Sequence, residues 1–407
     1  MVHLSHDPTQ FRPEVDPPHG PPLLNPASDT GLGAMTTSSV VLAVLGGLAT
    51  LAGCRHSIAP VAVTAGAPLC AAITLDADGD GLDDACETAL AETFAPVVIH
   101  SSAETVFPTD VDDFLTKTSL EFRDDRCSAG REPLLVVDAP TQAQLLHHEA
   151  SSPCDGLRIS SDGSRSDRKH TTFFLADVPD AAKQGSSDTH HWKTYVHVYP
   201  SSSDGDDPRG ERTVTIQYWR FYPFNRALAN HGGDWEGLHV VLRRDRSVAR
   251  IGLLGHRLIE WSSAGGLEWD GTHPIVYSDI GGHTSRASGR DIPGRDCFDS
   301  RACAVSKEDL GSFVRQETWS GGRVVWPDGR TTVGGGLVNV GEKSAPLNGQ
   351  VFLQYSGLWG SPGRFYITSG YWGPAFNETD IRADGFVTAW CAGMAPPLVL
   401  AKECWGS

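Results

Sequence analysis

Apolar and polar residues alternate with a period of two in several short stretches of this chain, as half-buried strands require. Thr213–Phe221, Gly237–Arg243, Ile251–Leu254, Pro274–Ser278, Val351–Tyr355 and Phe365–Thr368 show strand character, with many β-branched and aromatic residues. Clusters of Gly, Pro, Asp and Asn separate them, which predicts antiparallel β structure. Ser201–Gly210 and Gly281–Ser300 read as long loops. A helical apolar period is convincing at Asp83–Phe94, with short helices expected at Thr109–Thr116 and Thr141–Glu149. No repeat recurs at solenoid spacing. The pattern predicts a mainly β fold: a β-sandwich core with long loop insertions and a few short helices.

The amino-terminal part follows other rules. Residues 1–34 are polar and rich in proline (Pro8, Pro13, Pro17, Pro18, Pro21, Pro22 and Pro26). Such a stretch cannot bury enough apolar surface to offset its ordering entropy, so 1–34 reads as a disordered extension upstream of a true start at Met35. The apolar run Val40–Ala52 falls short of the roughly 20 residues that a spanning helix needs and suits a signal-peptide core. It ends in Leu51-Ala52-Gly53-Cys54, which resembles the bacterial lipobox, where the cysteine is lipidated. Residues 35–54 are thus expected to be a lipoprotein signal peptide, Cys54 a membrane anchor and 55–72 a linker. The expected location is the bacterial cell envelope, on the outer membrane or cell surface, or else secreted. The lack of Lys or Arg between Met35 and the apolar run departs from the usual signal pattern.

The chain of 407 residues holds nine cysteines. With Cys54 set aside, the rest fall into neighbouring pairs: Cys70–Cys86, Cys127–Cys154, Cys297–Cys303 and Cys391–Cys404. Other connectivities are open to the same set, but an even count in an exported chain favours disulfides. Lys and Arg number 33 against 50 Asp and Glu, a net charge of −17. That balance repels phosphate backbones, so no nucleic-acid partner is expected. It suits cation binding or plain solubility.

The sharpest local motif lies ahead of the β-rich region. Asp76-Ala77-Asp78-Gly79-Asp80-Gly81-Leu82-Asp83-Asp84-Ala85-Cys86-Glu87 fits the spacing of a calcium loop, D-x-[DN]-x-[DN]-G-x5-E. Ca²⁺ takes six to eight hard oxygen ligands, and alternate Asp76, Asp78 and Asp80 would aim carboxylates inward. Gly81 permits the turn, the Leu82 carbonyl and Asp84 continue the ligand set, and Glu87 closes it with two oxygens. The segment Cys70–Leu75 is not helical in pattern, so the loop resembles the isolated calcium loops of dockerins or thrombospondin type-3 repeats rather than a paired EF-hand. Residues 73–90 are therefore expected to be a structural calcium-binding loop with a short helix, and 91–407 the β domain.

A second constellation combines the aromatic run Tyr218-Trp219-Arg220-Phe221-Tyr222-Pro223-Phe224-Asn225 with Asn230-His231-Gly232-Gly233-Asp234-Trp235-Glu236-Gly237. If a strand begins at Asp234, Asp234 and Glu236 share one face and Trp235 points to the other. His231, ahead of that strand on a glycine hinge, could swing to the same side. Asp234, Glu236 and His231 are candidates for a second divalent cation or an acid–base pair, with His283 as an additional candidate. Capping of turns or pairing with Arg243 or Arg244 explains the same carboxylates equally well.

Several segments together resemble the vacuolar protein sorting-associated protein 62 family. These are Pro96-Val97-Val98, Phe107-Pro108-Thr109-Asp110-Val111, the aromatic run above, and His231-x-x-Asp234-Trp235-Glu236. Ile275-Val276-Tyr277, Gly281-Gly282-His283, Gly357-Leu358-Trp359-Gly360 and Gly373-Pro374-Ala375-Phe376 follow in the same order. The likeness spans roughly Leu90–Phe376 and implies no particular reaction. A weaker resemblance is to the necrosis-inducing NPP1-like proteins, whose motif Gly-His-Arg-His-Asp-Trp-Glu is matched at His231, Asp234, Trp235 and Glu236. That resemblance implies a cation site on a β-sandwich that binds sphingolipid head groups. Asn230, Gly232 and Gly233 depart from the motif, and the lost second histidine puts the metal geometry in doubt.

Two classes of function follow. One is an anchored, calcium-stabilised module that binds a glycan or lipid head group, with Trp219, Trp235, Trp359, Tyr371 and Trp372 near its site. The other is a metal-dependent hydrolase using Asp234 and Glu236 with His231 or His283. A structural envelope lipoprotein is the third reading. A concave pocket around the carboxylates would favour the enzyme, and a shallow site beside exposed aromatics the binding module.

Overall fold

The computed structural model describes residues 74–160, 171–201, 212–227, 230–255, 258–288, 313–363, 370 and 373–374. Three α-helices lie there: α1 (Asp84–Phe94), α2 (Val111–Leu115) and α3 (Gln142–Leu146). The strands in chain order are β1 (Val97–Ser101), β2 (Ser119–Asp124), β3 (Leu134–Asp138), β4 (Glu149–Ser151), β5 (Arg158–Ser160), β6 (Thr171–Leu175) and β7 (Thr194–Pro200). They continue as β8 (Arg212–Asn225), β9 (His231–Arg243), β10 (Val248–Gly255), β11 (Leu258–Ser262), β12 (Glu268–Asp270), β13 (His273–Ser278) and β14 (Ser285–Arg286). The last are β15 (Phe313–Glu317), β16 (Arg323–Val325), β17 (Thr331–Val333), β18 (Leu337–Asn339), β19 (Gly341–Glu342) and β20 (Ala345–Pro346).

Two large sheets form the mainly β, sandwich-type core. One runs β12-β13-β1-β15-β16-β17 with β14 added on β13, the other β11-β10-β9-β8-β7-β18. A smaller sheet, β3-β2-β6, lies against the outer face of the second. Alternation along β8 explains why the second sheet is the middle layer. Ile216 and Tyr218 enter a core shared with Val98, Val276 and the α1 residues Leu90, Ala91 and Phe94. Trp219 and Phe221 enter the opposite core, with Phe114 of α2, Phe122 of β2 and Leu175 of β6. β8 thus supplies apolar side chains to both faces, with the polar Thr215, Gln217 and Arg220 buried among them.

Each α-helix starts on a side-chain cap that takes up an orphan amide. Asp83 accepts from the Cys86 amide ahead of α1, and its other oxygen takes the Thr74 and Leu75 amides. These bonds, led by that from the Thr74 hydroxyl, hold its carboxyl well below the usual range. Asp110 caps α2, and Thr141 with Gln144 forms a capping box at α3.

Several expectations need correction. Val351–Tyr355 is no strand: Val351–Gln354 is a 3₁₀ turn. In a strand, Phe352 and Leu353 would point to opposite faces, whereas both are buried in the same core. β9 begins at His231, so that histidine is a strand residue rather than a hinge. The expected loop Gly281–Ser300 contains β14, paired on β13. Phe365–Thr368 and Ser202–Gly210 lie outside the described residues. Cys127 and Cys154 form a disulfide, and Cys86 is disulfide-bonded. Cys70, the expected partner of Cys86, and Cys54, Cys297, Cys303, Cys391 and Cys404 lie outside the described residues, as do 1–73.

Candidate functional site

The acidic loop winds around its first carboxylate. Asp76 accepts the amides of Gly79, Asp80 and Gly81 at 2.7, 3.2 and 3.1 Å. This wrapping needs φ of +81° at Gly79 and +94° at Gly81, a region glycine enters without steric cost. Leu82 donates its amide to Asp80 and packs its side chain against the inter-sheet core. Asp84 accepts from the Ala77 amide. Glu87 comes from the first turn of α1 with no solvent exposure.

Carboxylate oxygens converge in two overlapping groups. Asp76, Asp78 and Asp84 each offer one within 4.8 Å of the others, and so do Asp78, Asp80 and Glu87. Asp78 Oδ1, Asp80 Oδ2 and Glu87 Oε1 are buried with no hydrogen-bond partner. Burial, reinforced by the neighbouring acids, pushes Glu87 up to about 8 and Asp78 to about 6. Burial also raises Asp80. Unpartnered, desolvated carboxylates facing one another are costly unless a cation lies between them, and an all-oxygen set suits a hard divalent ion. The residues present fit such an ion.

The other oxygens of Glu87 and Asp78 are held by the far part of the chain, and that of Asp80 by the Leu82 amide. Asn339 donates to Glu87 Oε2 at 2.7 Å, and the Glu342 amide donates to Asp78 Oδ2 at 3.2 Å. Glu342 is in turn 3.0 Å from His197 Nε2. The motif spacing could not reveal Asn339, Glu342 or His197, because Asn339 is 252 positions from Glu87.

Asp234 and Glu236 sit on the β9 face turned towards the seven-stranded sheet, while Trp235 enters the outer core. Asp234 Oδ2 accepts from Asn225 at 3.1 Å and is 2.8 Å from His283 Nδ1. The Tyr222 ring stacks on His283 at 3.8 Å. His283 has φ of +55°, unusual for a non-glycine residue, in a turn closed by its amide's bond to the Asp279 carbonyl at 2.9 Å. Glu104 lies 3.9 Å beyond its Nε2, with both carboxylate oxygens engaged by the amides of Thr105, Val106 and Gly281. Arg220 is fully buried between Tyr222 and Ser285. Asp234 and Glu236 are each 1% exposed, so the cluster is an internal polar layer between the sheets. His231 Nδ1 lies 3.0 Å from the Gly232 carbonyl. Among the described residues, His231, Asp234 and Glu236 do not form a group with ligand atoms all within 4.8 Å.

The aromatics near the motif are likewise internal. Trp219, Trp235 and Trp359 pack in the outer core, with Trp235 and Trp359 edge to face at 5.2 Å. Tyr371 and Trp372 lie outside the described residues.

The fold and site define a mainly β, sandwich-type protein with an acidic, cation-compatible loop docked on a sheet edge. No family model and no curated protein matches the chain, so the likeness to the vacuolar protein sorting-associated protein 62 family rests on the quoted motifs alone. Solved structures that it resembles belong to the necrosis-inducing proteins. Necrosis and ethylene inducing protein 2, from the causal agent of cocoa's witches' broom disease, is 14% identical. That match covers 49% of this chain and 68% of that one, with a TM-score of 0.26. NLPPya in complex with mannosamine is 12% identical over 49% of this chain and 66% of that one, with a TM-score of 0.25. A structure described as a toxin fold for microbial attack and plant defense is 12% identical over 55% and 76%, with a TM-score of 0.26.

Proposed function

We propose that this is an exported, lipid-anchored β-sandwich protein, stabilised by calcium in the 76–87 loop, that binds a glycan or a lipid head group. The observation that carries the calcium assignment is the convergence of the Asp78, Asp80 and Glu87 carboxylates, each of which has one buried oxygen with no protein partner. Glu87 and Asp78 are buried where the loop meets the β18 edge, and this seclusion from substrate favours a structural cation over a catalytic one. Burial of Asp234 and Glu236 argues against hydrolysis at these carboxylates, and the internal Trp219, Trp235 and Trp359 place any ligand surface elsewhere. A substrate could not reach Asp234 without displacing Asn225 and His283, and an acid–base pair has to touch what it protonates. The same commitment of Asp234 argues against a second cation there. An array of glycans and lipid head groups, probed with the calcium-loaded protein and again in chelator, tests the reading. Retention of a defined glycan or lipid class in calcium is expected. Turnover of an arrayed glycan or lipid, lost on Asp234→Asn, would replace this reading with the hydrolase.

A further inference from the structure

The acidic loop and the β18–β19 edge share their key groups in a way that neither segment shows alone. Glu87 uses one oxygen to accept from Asn339 and leaves Oε1 without a partner. Asp78 uses one oxygen to accept from the Glu342 amide and leaves Oδ1 without a partner. Glu87 is 0% and Asp78 5% exposed, so both free oxygens are inside the protein. Gly341, between the two donors, has φ of +65° and faces the loop so closely that an added Cβ would lie 3.1 Å from Asp78 Oδ2. The Asn339 side-chain carbonyl accepts from the Gly341 amide, which fixes the direction of its donating nitrogen. Glu342 is anchored through His197 to β7, which pairs with β8 and β18.

We propose that Asn339 and Glu342 complete the cation site from outside the loop, making it a calcium-dependent clasp between α1 and the six-stranded sheet. This rests on the calcium reading above and adds what the ion does. Each donor holds one oxygen of a carboxylate and leaves the other available to the ion. Partners of this kind orient metal ligands, and losing one typically weakens binding by about 10- to 100-fold. The ion thereby ties the 76–87 loop onto β18, through contacts that are 252 residues apart in sequence for the Glu87–Asn339 pair.

Calcium titration calorimetry and hydrogen exchange on the full protein test the clasp. Asn339→Ala should bind calcium about 10- to 100-fold more weakly than wild type while its far-ultraviolet circular dichroism is retained. In wild type, calcium should slow exchange in both 76–87 and 337–342. Two results overturn the clasp without touching the loop assignment: wild-type affinity in Asn339→Ala, or calcium protection confined to 76–87. Absence of calcium binding by wild type would overturn both. If Asn339→Ala does not fold, the wild-type exchange pattern still decides.

Discussion

Glu87 is a carboxyl with no solvent exposure, and burial together with Asp78, Asp80 and Asp84 lifts it to about 8. Asp78 rises to about 6 by the same causes. In the metal-free protein the folded state therefore holds protons that the unfolded chain releases from about pH 4 upwards. Stability should then fall as pH rises from about 5 to about 8. Calcium, which needs the ionised carboxylates, should flatten that slope, and thermal melts across this range with and without calcium measure it. A metal-free protein whose melting temperature is constant from pH 5 to 8 would contradict the assignment. At the inter-sheet layer, Asp234→Ala strands the His283 and Asn225 groups that now face Asp234. It should cost about 2 to 5 kcal/mol in denaturant unfolding. The grouping of the acidic residues in the loop was readable from spacing, because a tight glycine-rich turn brings neighbouring side chains together. The internal character of Asp234 and Glu236 was not, because burial depends on the opposite sheet.

At the scale of elements, strand identity was legible where composition and alternation agreed. β8, β10 and β13 fall where Thr213–Phe221, Ile251–Leu254 and Pro274–Ser278 were expected, and α1 ends at Phe94 as its apolar period requires. β9 is longer than its alternation suggested, because Gly232 and Gly233 carry no side chain to reveal a face. Glycine is needed at 233, where φ is +58° and a Cβ would meet the Trp359 carbonyl oxygen at 1.8 Å. β7, Thr194–Pro200, is buried almost throughout, so its pattern lacked the polar outward positions that mark a half-buried strand. Val351–Tyr355 misled because a short apolar run carries no period of its own, and tertiary packing chose the 3₁₀ turn. Phe352 stacks on Trp235 and meets Tyr195 edge to face, so Phe352→Ala should cost about 3 to 5 kcal/mol, read by chemical denaturation. A loss below 1 kcal/mol would mean that this turn does not hold the outer core.

For the whole molecule, two cores share one middle sheet, and the acidic loop grips that sheet at its β18 edge. Part of the net charge of −17 is thus local, concentrated in Asp76, Asp78, Asp80, Asp84 and Glu87. The layered fold was foreseeable as a sandwich, but the docking of an amino-terminal loop on a carboxy-terminal strand is a long-range contact that no local pattern encodes. Export and anchoring belong to this scale too: labelling with a palmitate analogue in a bacterial host should be lost on Cys54→Ser, and equal labelling would remove the anchor. The most direct measurement is calcium binding by the intact protein, followed by metal analysis and thermal unfolding. One calcium per chain is expected, with a stabilisation of about 2.7 kcal/mol when free calcium is 100-fold above Kd, both lost on Glu87→Gln. A protein that retains no calcium after equilibration in calcium buffer, and melts at the same temperature in chelator, would contradict the account.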